Sequence, residues 1–531
     1  MRTHKLPFAN THAFSSFFLD YIHQKESLQK FINRFPTPEN FLPQIQEKES
    51  TFPDQNRQVL TATLKEQYIG LVVTESVTNN ISSLAKRKTF TITTGHQLNI
   101  FTGPLYFIYK IITVINACKK LKSVYPDYHF VPVYWMASED HDFEEIQYFK
   151  LYGKKYIWNT DQKGAVGRFN TNGIESLYTD IPGDISIFKN AYSKNKTLAA
   201  AVRHYVNELF GKEGVVVVDA DHRSLKTLFK DVIQDDLFQN SSKNLVEERN
   251  KQLESLGYHT QVFVRDINFF YLGNGLRSRL EKTNGKFNIV DTDIEFTPEK
   301  IKQLVEKEPE KFSPNVILRP LYQEMILPNL AYVGGPAEVT YWLQLKGVFD
   351  HFKVPFPMLM PRNFALVMDA PTSRKFDKIE LEFKDLFEDK HYIFNHWFAK
   401  HNTLNLSLMK EVETIQQFWT GIKDRASRID PTLNQFVAAE AKRNLKGLKK
   451  IEQKFWRAEK RKQVDKLHQI ETVKDSLFPG GGLQERTDNF LNFYQQDPKF
   501  IQKLIDLLDP FDYQFNIFQY ISPIAPKEKK K

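Results

Sequence analysis

Residues 88–146 read KTFTITTGHQLNIFTGPLYFIYKIITVINACKKLKSVYPDYHFVPVYWMASEDHDFEEI and give the clearest indication of the fold. A short run rich in β-branched residues (88–94) leads into Gly95, and apolar residues at helical spacing begin after Gly103. FVPVYWM (130–136) then has the composition of a strand that is buried on both faces. The stretch therefore predicts a β-α-β unit, in which a helix joins two parallel strands.

Two further units of this kind are predicted later in the chain. Their elements are a helix over 198–209, a strand over 215–218 and a helix over 223–238, then a strand over 331–333, a helix over 338–352 and a strand over 358–360. Strands that alternate with helices predict an α/β fold with a doubly wound parallel sheet. Residues 149–160 and 263–272 have the pattern of hairpins or added strands, so we expect inserted connecting segments between the units.

The residue pattern changes after about residue 373, where long helical segments with few glycines begin. Apolar residues recur from Leu433 to Ile470 at spacings typical of a coiled coil, and Asp430-Pro431 is the predicted turn of an antiparallel hairpin. Such hairpins commonly form dimer interfaces. The predicted domains are a core over 1–372 with insertions at about 150–200 and 240–330, a coiled-coil dimerisation arm over 373–476, and C-terminal helices over 477–531 that pack back on the core and end in a disordered basic tail, 527–531.

Composition and charge exclude several classes of protein. The chain has 531 residues, of which 41% are hydrophobic and 14% aromatic, so it is too apolar to be disordered. Its N-terminus lacks a signal-peptide pattern and no apolar run is long enough to span a membrane, so we expect a cytoplasmic protein. The single cysteine, Cys118, excludes an intrachain disulfide and is expected to be buried. Most of the net charge of +9 lies in 441–468 and 527–531, so nucleic acid is not an expected partner.

The candidate active site lies at the ends of the two strands of the first unit, because open α/β sheets bind ligands at the carboxyl ends of their strands. The first strand delivers Gly95, His96, Gln97 and Asn99, and the second delivers Trp135, Glu139, Asp140, His141 and Asp142. We expect His96 to face the acidic loop, where it would suit a general base or a ligand for a substrate amine. Two structural alternatives stay open: His96 could be a turn histidine bonded to backbone, and the cluster Glu139–Glu145 could be the solvated start of a helix.

Three weaker hypotheses concern metals and nucleotides. His96, Asp140 and His141 could hold a metal, but no HExxH or spaced histidine set supports a metal site, and none is predicted. Backbone amides at Gly334-Gly335, with Glu338 at the start of the following helix, could receive an anion. The turn at 480–482, next to Gln484, Glu485 and Arg486, could hold a phosphate of a nucleotide.

These residues resemble the bacillithiol-biosynthesis cysteine-adding family. The motifs that carry the resemblance are TGHQ (94–97), GPL (103–105), YK (109–110), WMASEDHDFEE (135–145), DAD (219–221), GGPAE (334–338), PR (361–362) and LFP followed by LQER (477–479 and 483–486). They run in order over nearly the whole chain, and GHQ together with EDHDF is specific.

The resemblance implies a Rossmann-like core with inserted segments and a long α-helical coiled-coil arm that forms a homodimer. It also implies a ligase of the last step of bacillithiol biosynthesis, which would join the carboxyl group of cysteine to the amino group of glucosaminyl malate. The implied catalytic residues are His96, Asp140 and His141, and the implied substrate-binding residues are Gly95, Gln97, Asn99, Trp135, Glu139, Asp142, Asp219, Asp221, Gly334, Gly335, Glu338 and Arg362.

The core is also similar to class I aminoacyl-tRNA synthetases, which implies ATP or ADP as the nucleotide, although the HxGH and KMSKS patterns are absent from this sequence. No other cofactor is expected. Two competing functions remain: a metal-dependent hydrolase or transferase built on His96, Asp140 and His141, and a non-enzymatic coiled-coil module that binds nucleic acid through 441–468.

Overall fold

A computed structural model describes residues 1–402, 404 and 406–521 of the chain. Its strands are β1 (Arg2–Pro7), β2 (Thr89–His96), β3 (His129–Met136), β4 (Tyr148–Leu151), β5 (Lys154–Ile157), β6 (Val216–Asp219), β7 (Phe269–Gly273), β8 (Leu276–Thr283), β9 (Lys286–Ile289), β10 (Glu295–Phe296), β11 (Phe312–Pro314), β12 (Asn329–Gly334), β13 (Met358–Pro361), β14 (Phe364–Met368) and β15 (Gln514–Gln519). The predicted tail 527–531 lies outside the described residues.

The helices of the first half are α1 (Ser16–Ile22), α2 (Phe41–Thr51), α3 (Asp54–Gln67), α4 (Glu75–Ser83), α5 (Tyr106–Val124), α6 (Phe143–Ile146), α7 (Ser186–Lys194), α8 (Leu198–Phe210), α9 (Arg223–Thr227), α10 (Lys230–Phe238) and α11 (Ser241–Ser255). Those of the second half are α12 (Pro298–Lys307), α13 (Arg319–Ile326), α14 (Pro336–Trp342), α15 (Lys346–His351), α16 (Ala370–Ile379), α17 (Lys390–His401), α18 (Met409–Ile429), α19 (Leu433–Lys462), α20 (Val464–Leu477), α21 (Leu491–Tyr494) and α22 (Phe500–Leu507). Across the described ranges, no helix is both long and apolar enough to cross a bilayer.

The centre of the fold is a parallel sheet with the strand order β13-β12-β2-β3-β6. β2 pairs with β3 over its whole length, from Thr89 opposite His129 to His96 opposite Met136, and with β12 on its other side. The three predicted β-α-β units are therefore confirmed, and so is the Rossmann-like α/β class. Strand β2 is buried at every position, although threonine alternates with Phe90 and Ile92 over residues 89–93.

Helix α5 packs on this sheet through the apolar residues that the sequence places at helical spacing. Val114, Ala117 and Leu121 join Phe90 and Ile92 of β2 in one buried cluster. Cys118 lies in the same cluster and is buried, as expected. The crossover from β2 to β3 therefore fixes the positions of both strand ends, where ligands bind in folds of this class.

Two predicted helices are interrupted. The helix expected over 223–238 is divided into α9 and α10 at Phe229, whose buried ring packs against Tyr322 and Phe269. The helix expected over 338–352 is divided into α14 and α15 by residues 343–345, all three of which are buried. The break between α14 and α15 is therefore enclosed by the protein rather than exposed to solvent.

The inserted segments form sheets of their own. β4 and β5 make the predicted hairpin, and β7 to β11 make an antiparallel sheet in the order β10-β9-β8-β7-β11. The strand expected over 263–272 begins only at Phe269. A third small sheet, β1-β15-β14, was not predicted, and it corrects the expectation that the C-terminal segment contains only helices.

The chain divides into two compact units. The first contains residues 1–367 and 482–519, and the second contains residues 368–402, 404, 406–481, 520 and 521. In the second unit α18 and α19 form an antiparallel pair with Asp430-Pro431 between them, which confirms the predicted coiled-coil hairpin and its turn.

Candidate active site

A cavity of about 360 Å³ opens where β2, β3 and β12 end. Its lining includes eight of the residues singled out in the sequence: Gly95, His96, Gln97, Trp135, Gly335, Glu338, Arg362 and Arg486. Sequence reasoning assigned no site role to four other polar or aromatic members, namely Tyr106, Arg319, Tyr332 and Tyr341, and it noted Lys110 and Glu145 only as parts of the YK and WMASEDHDFEE motifs. Lys110 left a signal, because it is the one charge within an apolar helical run.

His96 is the last residue of β2, and its ring is buried at the cavity wall. The ring packs edge-on against Tyr106 at 5.2 Å and tilted against Phe107 at 5.3 Å. Its Nε2 is fully buried and has no hydrogen-bond partner in the described part of the chain. Burial, followed by the nearby charge of Lys110, lowers the pKa of His96 to about 3. The imidazole is therefore neutral and keeps a lone pair at physiological pH.

Gln97, and not His96, reaches the acidic loop after β3. Its Nε2 donates to Asp140 Oδ2 at 3.0 Å and to Glu145 Oε2 at 2.6 Å. The expectation that His96 faces these carboxylates is wrong, because His96 is directed towards α5 and only the residue after the strand turns to the loop. Asn99 is buried behind this contact, where its Nδ2 donates to the Glu145 carbonyl oxygen at 3.1 Å.

Lys110 and Glu338 form an ion pair at the floor of the cavity, with 2.5 Å between Nζ and Oε2. Lys110 also donates to the Gly95 carbonyl oxygen at 2.8 Å, which ties α5 to the end of β2. Burial alone would raise the pKa of Glu338, but the charge of Lys110 and the Gly335 amide lower it to about 2. Glu338 is therefore a permanent anion in this site.

The Gly335 amide is not available for an external anion, contrary to the hypothesis for Gly334-Gly335. It donates to Glu338 Oε2 at 2.8 Å, because a glutamate three residues into a helix can turn back and cap the helix start. Gly334 allows the close packing of this turn, since a Cβ there would lie 2.9 Å from Glu338 Cβ.

Arg362 is held by a buried carboxylate behind the cavity wall. Its two terminal nitrogens donate to Glu485 at 3.0 and 2.5 Å. Gln484 accepts a hydrogen bond from the Val367 amide and donates one to the Val367 carbonyl oxygen, so its side chain is also used within the fold. Of the three residues proposed for a nucleotide, Gln484 and Glu485 are thus committed to the fold, and only Arg486 is exposed and lines the cavity.

Glu139 and His141 are directed away from the cavity, towards the inserted segments. Glu139 forms an ion pair with buried Lys226 and accepts from Ser313 Oγ at 2.9 Å. His141 Nδ1 lies 2.6 Å from an Arg277 nitrogen, and Asp142 is exposed. These three residues are outside the cavity lining, which corrects their predicted contact with substrate.

Asp140 lies between Gln97, which lines the cavity, and Arg277, which contacts His141 outside it. Burial would raise its pKa, but hydrogen bonds from His141 and Gln97 and the charge of Arg277 hold the pKa of Asp140 well below its usual range. Asp140 is therefore ionised and cannot act as a proton donor. It orients Gln97, which in turn lines the cavity.

The DAD motif after β6 forms a separate cluster outside the cavity lining. Asp219 accepts from Ser138 Oγ at 2.5 Å, and Asp221 pairs with Arg168 at 2.7 Å. Burial, and then the charge of Asp221, raise the pKa of Asp219. The structure therefore assigns Asp219 to a contact with the loop after β3 and Asp221 to a contact with the segment after β5, which corrects the prediction that they bind substrate.

His96, Asp140 and His141 do not converge on one point, as a metal site would require. His96 packs against Tyr106, whereas Asp140 and His141 meet Gln97 and Arg277. Within the described residues, no group of three or more histidine, cysteine, aspartate or glutamate side chains is arranged to hold a metal ion. The donor geometry therefore does not fit the metal-dependent alternative.

Comparison with known proteins gives matches over nearly the whole chain. The family model described as the N-terminal Rossmann-like domain of bacillithiol biosynthesis BshC matches residues 1–363, and the C-terminal coiled-coil domain of BshC matches residues 365–520. The chain is 41% identical to the protein named "Putative cysteine ligase BshC" of Flavobacterium johnsoniae, with 97% of this chain and 99% of the relative covered. It is 40% identical to the protein of the same name from Christiangramia forsetii, with 98% and 99% covered.

Proposed function

This chain belongs to the bacillithiol biosynthesis BshC family, whose named relatives are called cysteine ligases, and we propose that it joins the carboxyl group of cysteine to the amino group of glucosaminyl malate. The observation that carries the proposal is the cavity at the ends of β2, β3 and β12, which presents a neutral, buried histidine beside cationic side chains. That combination suits an amine nucleophile together with a substrate that bears carboxylates.

His96 is neutral, as a general base must be, although a pKa of about 3 makes it a weaker base than an exposed imidazole. An amine attacks a carbonyl carbon only after its ammonium form has lost a proton. In the proposed step the amine nitrogen forms a bond to the cysteine carbonyl carbon, the bond from that carbon to the leaving oxygen breaks, and His96 accepts the proton released by the amine. Because Nε2 of His96 has no hydrogen-bond partner among the described residues, the ring has a lone pair that the protein does not use.

The cysteine carboxyl has to be activated, because condensation of a free acid with an amine is unfavourable in water. We propose ATP as the source of activation, by similarity of the core to nucleotide-dependent ligases. Arg486 is the residue best placed to meet its phosphates, since it is exposed and lines the cavity. A cytoplasmic location is part of the proposal, because the cytosol keeps the cysteine thiol reduced.

The activity can be tested with the purified protein. It is incubated with cysteine and glucosaminyl malate, with and without ATP, and the amide product is followed by mass spectrometry. We expect product only with cysteine present, and none when cysteamine replaces it, because cysteamine lacks the carboxyl group. Absence of product under every nucleotide condition would show that the chain is not a self-sufficient ligase.

We also propose that the chain is a homodimer that associates through α18 and α19. Large apolar side chains on these helices remain exposed in the single chain, including Phe418 at 61% and Phe436 at 66%. Exposed aromatic residues on a helical hairpin are typical of a surface that a second chain covers.

A further inference from the structure

Arg319 is the one cation deep in the cavity that forms no salt bridge with a carboxylate of the described residues, although the charge of Glu338, which is paired with Lys110, acts on it from a greater distance. Its Nη1 donates to the neutral Gln323 Oε1 at 3.2 Å, and Tyr341 is a further neighbour. A guanidinium carries five N–H donors, so most of the hydrogen-bonding capacity of Arg319 is unused by the protein. The side chain lines the cavity, and those donors are therefore available to a ligand.

Aromatic rings hold the guanidinium in place without neutralising it. The Arg319 guanidinium carbon lies 5.9 Å from the ring centre of Trp135, 5.6 Å from that of Tyr332 and 5.9 Å from that of Trp342. Cation–π contacts of this kind each contribute about 0.5–2 kcal/mol and leave the formal charge intact. The aromatic cage therefore fixes the direction of the side chain while its charge remains free to attract an anion.

Gly95 makes room for this arrangement at the end of β2. A Cβ at residue 95 would lie 3.2 Å from the Tyr332 hydroxyl oxygen and 3.8 Å from Arg319 Nη1. The absence of a side chain at Gly95 thus lets Tyr332 and the guanidinium approach the strand end. This packing gives a physical reason for the glycine of the GHQ motif.

The other deep cations of the cavity, unlike Arg319, each form an ion pair with a carboxylate. Lys110 is paired with Glu338, and Arg362 is paired with Glu485. A buried charge without a partner is strongly destabilising, which explains why these two cations have dedicated carboxylates. Arg319 has no carboxylate of its own, because the nearby Glu338 is paired with Lys110, and it also occupies the first turn of α13, where the helix dipole disfavours a cation. Both unfavourable features are relieved if an anion binds at Arg319.

We propose that Arg319 binds a carboxylate of the substrate that does not react, and so determines specificity for the acidic acceptor. The inference rests on the proposed function, in which that carboxylate belongs to the malyl group. A guanidinium binds both oxygens of a carboxylate through its planar fork. The cysteine carboxyl cannot be held in this way throughout, because one of its oxygens leaves during amide formation, whereas the malyl carboxylates persist in the product.

The test compares the wild-type chain with Arg319→Gln and Arg319→Lys. Affinities for L-malate, glucosaminyl malate and L-cysteine are measured by titration calorimetry, and KM and kcat by the product assay. A charge-assisted hydrogen bond contributes about 1.5–3 kcal/mol, so Arg319→Gln should weaken both malyl ligands by about 10- to 150-fold. KM for glucosaminyl malate should rise with little change in kcat, and the affinity for cysteine should be unchanged.

Two controls keep the result interpretable. Arg319→Lys retains the charge but not the planar fork, so it should lose less affinity for the malyl ligands than Arg319→Gln does. It also replaces Arg319→Gln in the test if the glutamine variant does not fold. Arg279→Gln removes an arginine on β8 that is not in the cavity lining and should leave all affinities unchanged.

Failure of this inference can be told apart from failure of the proposed function. If the wild-type chain converts glucosaminyl malate and the Arg319 variants bind malyl ligands as tightly as wild type, the role of Arg319 is wrong and the ligase assignment stands. A loss of affinity confined to cysteine would also overturn the assignment to the malyl carboxylate. If the wild-type chain neither binds nor converts glucosaminyl malate, the ligase assignment itself fails.

Discussion

His96 and Gln97 show how the environment of a single residue depends on where its strand ends. His96 is the last residue of β2 and packs against Tyr106 and Phe107, whereas Gln97 follows the strand and bonds the acidic loop. The two side chains therefore take separate roles although they are neighbours in the sequence. His96 is a neutral proton acceptor in our proposal, and Gln97 shapes the wall of the cavity.

Replacement of His96 by asparagine should abolish most of the activity. General base catalysis contributes about 10²- to 10⁴-fold, so we expect kcat to fall by about that factor while the affinity for substrates changes little. Product formation at saturating substrate is the measurement. His468→Asn, which alters an exposed histidine of α20, is the matched control and should retain the wild-type rate. A rate for His96→Asn within a few-fold of wild type would exclude His96 as the base.

The same variant should change how stability depends on pH. The pKa of His96 in the folded chain, about 3, is below its usual 6.5, because burial and Lys110 disfavour the charged ring. Between pH 6.5 and 3 the unfolded chain binds a proton at His96 that the folded chain does not bind. The free energy of unfolding is therefore unaffected by His96 above pH 6.5 and decreases as the pH falls towards 3. Denaturant unfolding between pH 4 and 7 should show a smaller loss of stability in His96→Asn than in wild type. Equal pH dependence in the two proteins would contradict the lowered pKa.

The sequence predicted the identity of many cavity residues but not their partners. Gly95, His96, Gln97 and Trp135 were found because they lie at the ends of recognisable strands. Arg319 was missed, because nothing in its local sequence marks it and its role comes from Gly95 and three rings that are remote in the chain. Glu139 was wrongly placed at the substrate, since its partner Lys226 lies on a helix that only the folded chain brings near.

The turn between β2 and α5 is the element on which the cavity depends most. It contains Phe101 and Thr102 with positive φ values of 50° and 69°, a conformation that is costly for a β-branched residue. Asn489 stabilises the turn by donating from Nδ2 to the carbonyl oxygens of Phe101 and Gly103, at 2.8 and 2.7 Å. This support directs α5, and with it Tyr106 and Lys110, towards the cavity.

Replacement of Gly103 by alanine should destabilise the first unit strongly. Gly103 has a φ of 60°, and a Cβ there would lie 2.5 Å from Asn99 Cβ, which is too close for any real contact. Strain of this backbone type costs about 1–3 kcal/mol, and the steric clash adds to it. Gly285→Ala is the matched control, because Gly285 has a φ of 78° but open space around it.

Urea unfolding of the two glycine variants provides the measurement. Gly285→Ala should lower the free energy of unfolding by about 1 kcal/mol, and Gly103→Ala by clearly more. Equal effects of the two substitutions would mean that the contact with Asn99 relaxes without cost.

Periodicity was sufficient to predict the elements of the central sheet, because each β-α-β unit is local in the sequence. It was not sufficient for the small sheet β1-β15-β14, in which Arg2 lies opposite Gln519. β1 is only six residues long and mostly exposed, so its sequence has no apolar run that marks a strand. The pairing of such a strand depends on contacts remote in the chain.

On the scale of the whole molecule, the family models and the compact units both separate an α/β part from a helical part. The helical unit contains the α18–α19 hairpin, and the cavity residues all belong to the other unit. The candidate chemistry and the proposed dimer contact therefore reside in different parts of the chain, and they can be altered separately.

Charged substitutions on the hairpin should dissociate the proposed dimer. We expect the wild-type chain to sediment at twice its 62.3 kDa mass, and Phe418→Asp combined with Phe436→Asp to sediment as a monomer. Ile69→Asp is the control, because Ile69 is equally apolar and 81% exposed but lies in the other unit. A monomeric wild-type chain, or a double variant that still sediments as a dimer, would contradict the proposal.

The ion pair between Arg362 and Glu485 has a consequence for synthesis of the protein. The two residues are 123 positions apart, and the whole helical unit is translated between them. At about 5–20 residues per second, the nascent chain carries Arg362 for roughly 6–25 s before its carboxylate leaves the ribosome. The α/β unit cannot close over an unpaired guanidinium at low cost, so it completes its folding only after the helical unit has been made. Ribosomes stalled before residue 485 should therefore hold chains whose α/β part is still sensitive to protease.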